Sequence, residues 1–224
     1  TMLLRKKEEI EAWLNKYNIK YYHLIEDQEY GYMVNVDRAV NLKSKDLKNI
    51  EIKFNKINST FDCSDNELKS LEGCPNIVNG NFYCNNNKLK SLENCPEIIN
   101  GNFTCNDNNL IDLKYSPKIV NGYFICSYNK LTSLEGCPEI IKGVFFCDKN
   151  KLKIEGLKYL PKKVNNNYIK ISNNEKLSSL QEISNFEKLK NKVEEILNIE
   201  KEKENLLNSI NKKNLNTKNT MNKI

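Results

Sequence analysis

The sequence predicts an α/β solenoid, a stack of short parallel strands closed at its start by a helix and hairpin and followed by a helix. Two observations carry that prediction. A period of 21 residues organises about half of the 224-residue chain, and the flanking segments change to helical or alternating spacing. A third observation removes the competitors. Hydrophobic residues make up 39% and charged residues 29%, and no apolar run approaches the roughly 18 to 20 residues of a spanning helix, which excludes membrane and collagen-like chains.

The elements follow in chain order. Thr1 to Ile10 pass from two leucines directly into Arg5, Lys6, Lys7, Glu8 and Glu9, without the apolar core of a secretory signal, so the expected location is the cytoplasm. Ile10, Trp13, Leu14 and Tyr17 fall at helical spacing, and Glu8, Glu9 and Glu11 suit a first turn whose exposed amides favour negative charge. A helix over 5–18 is predicted. Tyr22 and Leu24, then Tyr32, Val34 and Val36, alternate across Gly31 and predict a hairpin. Residues 1–39 are thus read as an N-terminal cap, the other use of Trp13 and the tyrosines being a binding surface.

The repeat spans residues 40–183, about seven turns of which five are regular. Phe61, Phe82, Phe103, Phe124 and Phe145 share one column, with Cys63, Cys84, Cys105, Cys126 and Cys147 two residues later. Asn66, Asn87, Asn108, Asn129 and Asn150 follow, then Leu68, Leu89, Leu110, Leu131 and Leu152. Leu71, Leu92, Leu113 and Leu134, the prolines Pro75, Pro96, Pro117 and Pro138, and glycines at 80, 101, 122 and 143 complete the unit. Period-two spacing points Phe and Cys inward from one short strand, and the asparagine can bond the backbone of the stacked turn. One unit cannot bury its own apolar face, so neighbours supply the core at about 4.8 Å per strand. Val40, Leu42, Leu47, Ile50 and Ile57 keep the register in a degenerate first turn. Pro161 and Val164 arrive two residues late, and Ile169, Ile171, Leu177 and Leu180 make an irregular last turn.

This unit, Phe-x-Cys-x-x-Asn-x-Leu-x-x-Leu followed by a Cys-Pro turn and a glycine, resembles a leucine-rich repeat, with Phe and Cys in the strand positions. The segment from Glu8 through Ile19, with Glu-Ile-Glu-Ala-Trp-Leu-Asn-Lys-Tyr-Asn-Ile, running through an alternating region into Ser-Leu-Glu-Gly-Cys-Pro at 70–75 and again at 133–138, looks like leucine-rich repeat proteins of bacteriophages and prophages over roughly residues 8 to 165. That resemblance implies a parallel sheet on the concave side, the Pro/Gly segments on the convex side, and a binding scaffold without an assigned activity.

At the C-terminal end, Ser184-Asn185-Phe186-Glu187 matches a capping box and starts a helix over 184–210. Leu189, Val193, Ile196, Leu197 and Ile199 form its stripe, Glu200 to Glu204 interrupt it, and Leu206, Leu207 and Ile210 resume it. The first half caps the stack; the second projects, pairs with another copy or docks on a partner. Residues 211–224 are read as a mobile Lys/Asn-rich tail.

Eight cysteines raise the question of metal or disulfides. Five are the strand column, and Cys74, Cys95 and Cys137 form a second column whose fourth place is Ser116. Metal sites gather ligands at a point, whereas these columns run along an axis, so the cysteines are read as small buried hydrophobes and no metal or cofactor is assigned. His23 is the only histidine and lies in the cap, while Asp62 and Asp65 suit solvated surface. With no phosphate-binding or dinucleotide motif either, a non-enzymatic protein is expected.

The outward face of the strands carries the binding reading. Between Phe and Cys stand Asp62, Tyr83, Thr104, Ile125 and Phe146, flanked by Tyr123, Val144 and Tyr128. Tyr83, Tyr123, Ile125, Tyr128, Val144 and Phe146 are the candidate contacts to a protein partner, since aromatic anchors on a rigid sheet dominate interfaces. The C-terminal helix folding across this patch is the competing use. Lys69, Lys88, Lys90, Lys130, Lys149, Lys151 and Lys153 form a second stripe able to follow RNA phosphates, diluted by Glu72, Glu93 and Glu135. A net charge of +6 does not by itself imply nucleic acid. The expected role is macromolecular recognition, and the phage resemblance implies a protein partner such as a bacterial defence nuclease, blocked as anti-CRISPR proteins do. RNA or a ribonucleoprotein is the alternative partner, and a structural phage component the third.

Overall fold

The computed structural model describes residues 3–221. Helix α1 (Lys7–Lys16) and the antiparallel hairpin β1 (Tyr22–Asp27) and β2 (Gly31–Val36) precede a parallel β-solenoid, and helix α2 (Phe186–Met221) follows it. The helix expected to end at 210 continues to Met221, taking in most of the presumed tail; residues 222–224 lie outside the described residues. Among the described residues no helix is long and apolar enough to cross a membrane.

Two parallel sheets run the length of the stack. Sheet B contains seven two-residue strands, from Val40–Asn41 through the Phe-x strands to Ile169–Lys170, one per turn. Phe61 pairs with Phe82, Phe82 with Phe103, Phe103 with Phe124 and Phe124 with Phe145, so identical positions stack in register. Sheet A adds a second ladder in the Pro/Gly segments, where the sequence reading placed no sheet. There Lys53–Ile57, Ile77–Val78, Ile98–Ile99, Ile119–Val120, Ile140–Ile141 and Lys163–Val164 extend the hairpin's β2 as a second parallel ladder. The reason is local: two β-branched residues stand between proline and glycine, the first facing out and the second fully buried, which is strand alternation in its shortest form.

The core is a set of columns. The five repeat phenylalanines are fully buried, and neighbouring rings lie 5.1–6.0 Å apart between centroids. Each such burial contributes roughly 1.5–3 kcal/mol. Phe54 extends the column toward the start, 5.2 Å from Phe61, and Trp13 of α1 closes it, 6.2 Å from Phe54. Trp13 is only 4% exposed, and its indole N–H donates to Glu51 at 3.0 Å, so it serves the cap and not an open binding surface.

The asparagine column holds the corners. From the second regular turn on, the carboxamide oxygen accepts a leucine N–H from the turn before and the amide donates to a cysteine carbonyl there: Asn87 accepts from Leu68 and donates to Cys63, and Asn108 accepts from Leu89 and donates to Cys84, all at 2.9–3.0 Å, while Asn66 donates to the Leu42 carbonyl at 2.8 Å. The residue before each asparagine has positive φ; Asp65, Asn86 and Asp107 are short polar residues that tolerate it, whereas Tyr128 and Lys149 adopt it in the fourth and fifth turns without that advantage. At the other corner Gly73 has φ +88°, and an added Cβ would meet the Ile52 carbonyl oxygen at 2.6 Å, so stacking itself demands glycine there.

The last turn is longer. Sheet A pairs Ile140–Ile141 with Lys163–Val164, and the additional residues are taken up in the 3₁₀ helix Ile154–Tyr159. Helix α2 packs against that 3₁₀ helix and buries Phe186, Leu189 and Val193. The expected capping box does not form. Ser184 is drawn into strand-like pairing, its carbonyl accepting the N–H of Ile169 at 2.9 Å, and Asn185 caps the helix instead by accepting the N–H of Lys188 at 2.9 Å.

Candidate functional site: the outer sheet faces

Sheet B sets Asp62, Tyr83, Thr104, Ile125 and Phe146 in one outward row, since each pairs directly with the next. The row is half-buried and not freely exposed as the sequence suggested, and Thr104 is 7% exposed with its hydroxyl bonded to Asn85 at 2.9 Å. Strand spacing explains this: side chains about 4.8 Å apart along the stack shield one another. The row changes character along its length. Asp62 accepts both the N–H and hydroxyl of Ser64, whereas Ile125 and Phe146 present apolar surface.

Flanking positions widen the apolar end. Tyr123 and Val144, one residue before their buried phenylalanines, are half-buried beside Ile125 and Phe146. Burial and the neighbouring Tyr83 phenol hold the Tyr123 hydroxyl above its ordinary pKa, so it is a neutral donor. Tyr128 is exposed and stands over the Lys149 ammonium, which hydrogen-bonds its hydroxyl and lies 4.2 Å from its ring centroid. Sequence reasoning missed Tyr168, whose ring meets Phe146 edge-on at 5.8 Å and is 41% exposed. It lies in the irregular last turn, where the 21-residue register no longer identifies positions.

The α2 helix does not close this face. Ile199, Leu206, Leu207 and Ile210 remain 43–63% exposed, so the helix beyond Leu197 projects away uncovered. Sheet A carries a second apolar row that the sequence reading passed over, although its 21-residue spacing was legible. Ile77, Ile98, Ile119 and Ile140 face outward, with Ile98 and Ile119 at 46% and 45% exposure. One flank is an amide ladder in which Asn79 donates to Asn58, Asn100 to Asn79 and Asn121 to Asn100 at 3.0–3.1 Å. Glu139 on the other flank bridges Lys118 and Lys162, which hold its carboxyl below the ordinary range.

The seven candidate lysines, Lys69, Lys88, Lys90, Lys130, Lys149, Lys151 and Lys153, are all exposed. They do not form one stripe. The turn carrying Asn109 and Ile111 has no lysine at either column, so the charge divides into two groups. Lys88 is also paired to Glu67 at 3.2 Å, and Lys149 is engaged by Tyr128.

The cysteines line the core, and His23 and Asp65 lie toward the surface. All eight thiols are free, seven buried and Cys137 partly so; burial raises the pKa of Cys84, Cys95, Cys105, Cys126, Cys137 and Cys147, and that of Cys63 is raised chiefly by its contact with Cys74. His23 stands exposed on β1, with Nε2 2.9 Å from Asp37. Asp65 is paired with Lys43 at 3.2 Å and accepts from Asn86. Among the described residues no group of three or more His, Cys, Asp or Glu side chains is placed to hold a metal ion.

Two in-register parallel sheets, joined by asparagine-held corners, define a two-sheeted parallel β-solenoid with a helix at each end. No family model, curated protein or solved structure matches the chain.

Proposed function

We propose that the chain is a non-enzymatic recognition scaffold that binds a protein partner through the outer face of sheet B. One observation carries the reading: Tyr83, Tyr123, Ile125, Phe146 and Tyr168 lie together on a rigid parallel ladder, with Tyr128 at the adjoining corner. Aromatic groups held this way offer large contact area with little rotamer entropy left to lose. The resemblance to phage and prophage leucine-rich repeat proteins narrows the proposal to a bacterial partner met in the cytoplasm, a defence nuclease being the specific version.

Affinity capture from bacterial lysate, with and without nuclease treatment, tests it. The wild-type chain retains its partner after nuclease treatment, and the variant carrying Tyr123→Ser, Ile125→Ser and Phe146→Ser loses it while keeping its far-UV circular dichroism. Ile98→Ser with Ile119→Ser leaves capture unchanged. If that pair abolishes capture instead, the isoleucine row of sheet A is the contact face. Loss on nuclease treatment, with steep weakening as salt rises, would assign RNA and the lysines.

A further inference from the structure

We propose that Lys53 is a covalent attachment site for a small aldehyde, which its side-chain nitrogen holds as an imine in the cleft where the Cys-Pro turns run into sheet A. Lys53 begins the strand Lys53–Ile57 and stands in the column that Cys74, Cys95, Ser116 and Cys137 continue at 21-residue steps. It is 7% exposed, the one buried lysine among the described residues, and it makes no ion pair there. Its nitrogen donates to the Cys74 carbonyl at 2.6 Å and ends 5.9 Å from the Tyr30 ring centroid. Tyr30 and Lys53 line one end of a cleft of about 410 Å³, which passes Asn76 and Glu97 to reach Tyr115 and Ser116 two turns further on. That volume lies in the range of roughly 300 to 1,000 Å³ that small-molecule sites occupy.

The state of the nitrogen selects the ligand. A buried ammonium without a carboxylate partner is costly, and loss of its proton relieves the cost. Burial accordingly lowers the Lys53 pKa, against smaller opposing pulls from Cys74, Glu29 and Glu97. Exposed lysines differ on both counts: Lys43, Lys88 and Lys162 are paired with carboxylates, and water stabilises their charge. A neutral amine in a cleft is a nucleophile, and a carbonyl carbon is the electrophile with which it bonds reversibly. The nitrogen lone pair forms the C–N bond, the carbonyl oxygen leaves as water with both amine hydrogens, and the C=N bond remains. Once protonated, that nitrogen again has a hydrogen for the Cys74 carbonyl. Tyr30 and Tyr115 at the two ends favour an aromatic aldehyde. Ser116, on the same wall, carries a hydroxyl without a partner among the described residues.

Treatment of the full chain with benzaldehyde and cyanoborohydride at pH 7, followed by peptide mass mapping, reads the site. Lys53 takes at least about fivefold more label than any other lysine, and its labelling saturates with benzaldehyde while theirs rises in proportion. Between pH 7 and 9 the yield at Lys53 climbs less than at an ordinary exposed lysine, which gains about tenfold per pH unit. Lys53→Arg removes the saturable label. Tyr115→Gly leaves the nitrogen in place and the urea midpoint no lower, yet raises the benzaldehyde needed for half-labelling at least about threefold. Lys53 labelled no more than the other lysines, a linear dependence on benzaldehyde, saturable label kept by Lys53→Arg, or an unchanged half-labelling concentration in Tyr115→Gly would each overturn the proposal.

Discussion

The side-chain oxygen of Asn129 accepts the backbone N–H of Leu110, in the preceding turn, at 3.0 Å. Its amide donates in return to the Cys105 carbonyl of that turn, at 3.0 Å, and to Cys126 of its own, at 3.1 Å. One side chain therefore ties two successive coils at a corner where neither sheet pairs them. Both partners are buried, so their groups have no access to water if the carboxamide is removed.

Asn129→Ala should destabilise by about 2 to 3 kcal/mol in urea unfolding, the cost of leaving buried donors and acceptors unpaired. Asn129→Asp should be worse at neutral pH, because it sets carboxylate oxygens against the carbonyls of Cys105 and Cys126. A carboxyl buried this way has its folded pKa raised above its unfolded value, so protonation favours the folded state. The Asp variant should therefore gain stability relative to Asn129→Ala as pH falls from 7 toward 4. Equal losses for both variants at all pH would show that the corner is held by something else.

The buried thiols give the protein a second pH dependence. Burial raises the folded pKa of Cys84, Cys95, Cys105, Cys126, Cys137 and Cys147. In the unfolded chain a thiol ionises near about 8.5, so above that pH the unfolded state holds fewer protons and folding stability falls as pH rises. Each thiol adds about 1.4 kcal/mol per pH unit to that loss while it remains protonated in the fold. Urea midpoints measured between pH 7 and 10 should drop steeply, and Cys105→Ala should make the slope shallower. In the native state at pH 8, Cys137 should be the first thiol to react with a water-soluble disulfide reagent.

The periodic part of this architecture was legible because stacking imposes one residue type at one position per turn. Phe, Cys, Asn and Leu columns appear in the sequence as they appear in the core, and the first turn could be placed through Val40 and Ile57, which pair with Phe61 and Val78. The second sheet was not read, because the stretch between proline and glycine was assigned to turns, although a two-residue strand such as Ile119–Val120 is as long as the Phe124–Ile125 strand that was read. Asn174 escaped for another reason. It is fully buried and accepts the Leu152 N–H at 3.0 Å as the last rung of the ladder, but the longer final turn shifts it out of register. Tyr168 was lost to the same shift, so the candidate face was legible only as far as the period held.

One turn departs from the repeat at two adjacent positions, and both departures should cost stability. Gly73, Asn94, Tyr115 and Gly136 occupy one column and all have positive φ, a conformation that strains tyrosine. Beside it Ser116 takes the place of a column cysteine, and its hydroxyl is the one buried side-chain polar atom without a partner among the described residues. Tyr115→Gly should raise stability by about 1 kcal/mol, and Ser116→Cys by a similar amount. Asn94→Gly should change little, since asparagine tolerates that backbone. A loss of stability on Tyr115→Gly would mean that the ring, 62% exposed, makes a contact worth more than its strain.

The aromatic column predicts how damage at one end should spread. Trp13 joins α1 to Phe54, and Phe54 to the stacked phenylalanines, while the indole also donates to Glu51. Trp13→Ala removes the terminal ring and leaves the Phe54 end of the column open, a loss of about 3 to 5 kcal/mol locally. In a solenoid each turn contacts only its neighbours, so the loss should fall on the adjoining turns and fade with distance. Hydrogen exchange should accelerate in the hairpin and in residues 40–60, while residues 103–150 keep their wild-type protection. Asn129→Ala should do the reverse, loosening the centre and leaving α1 docked. If Trp13→Ala accelerated exchange uniformly from 40 to 180, the stack would be unfolding as one cooperative block and nearest-neighbour coupling would not describe it.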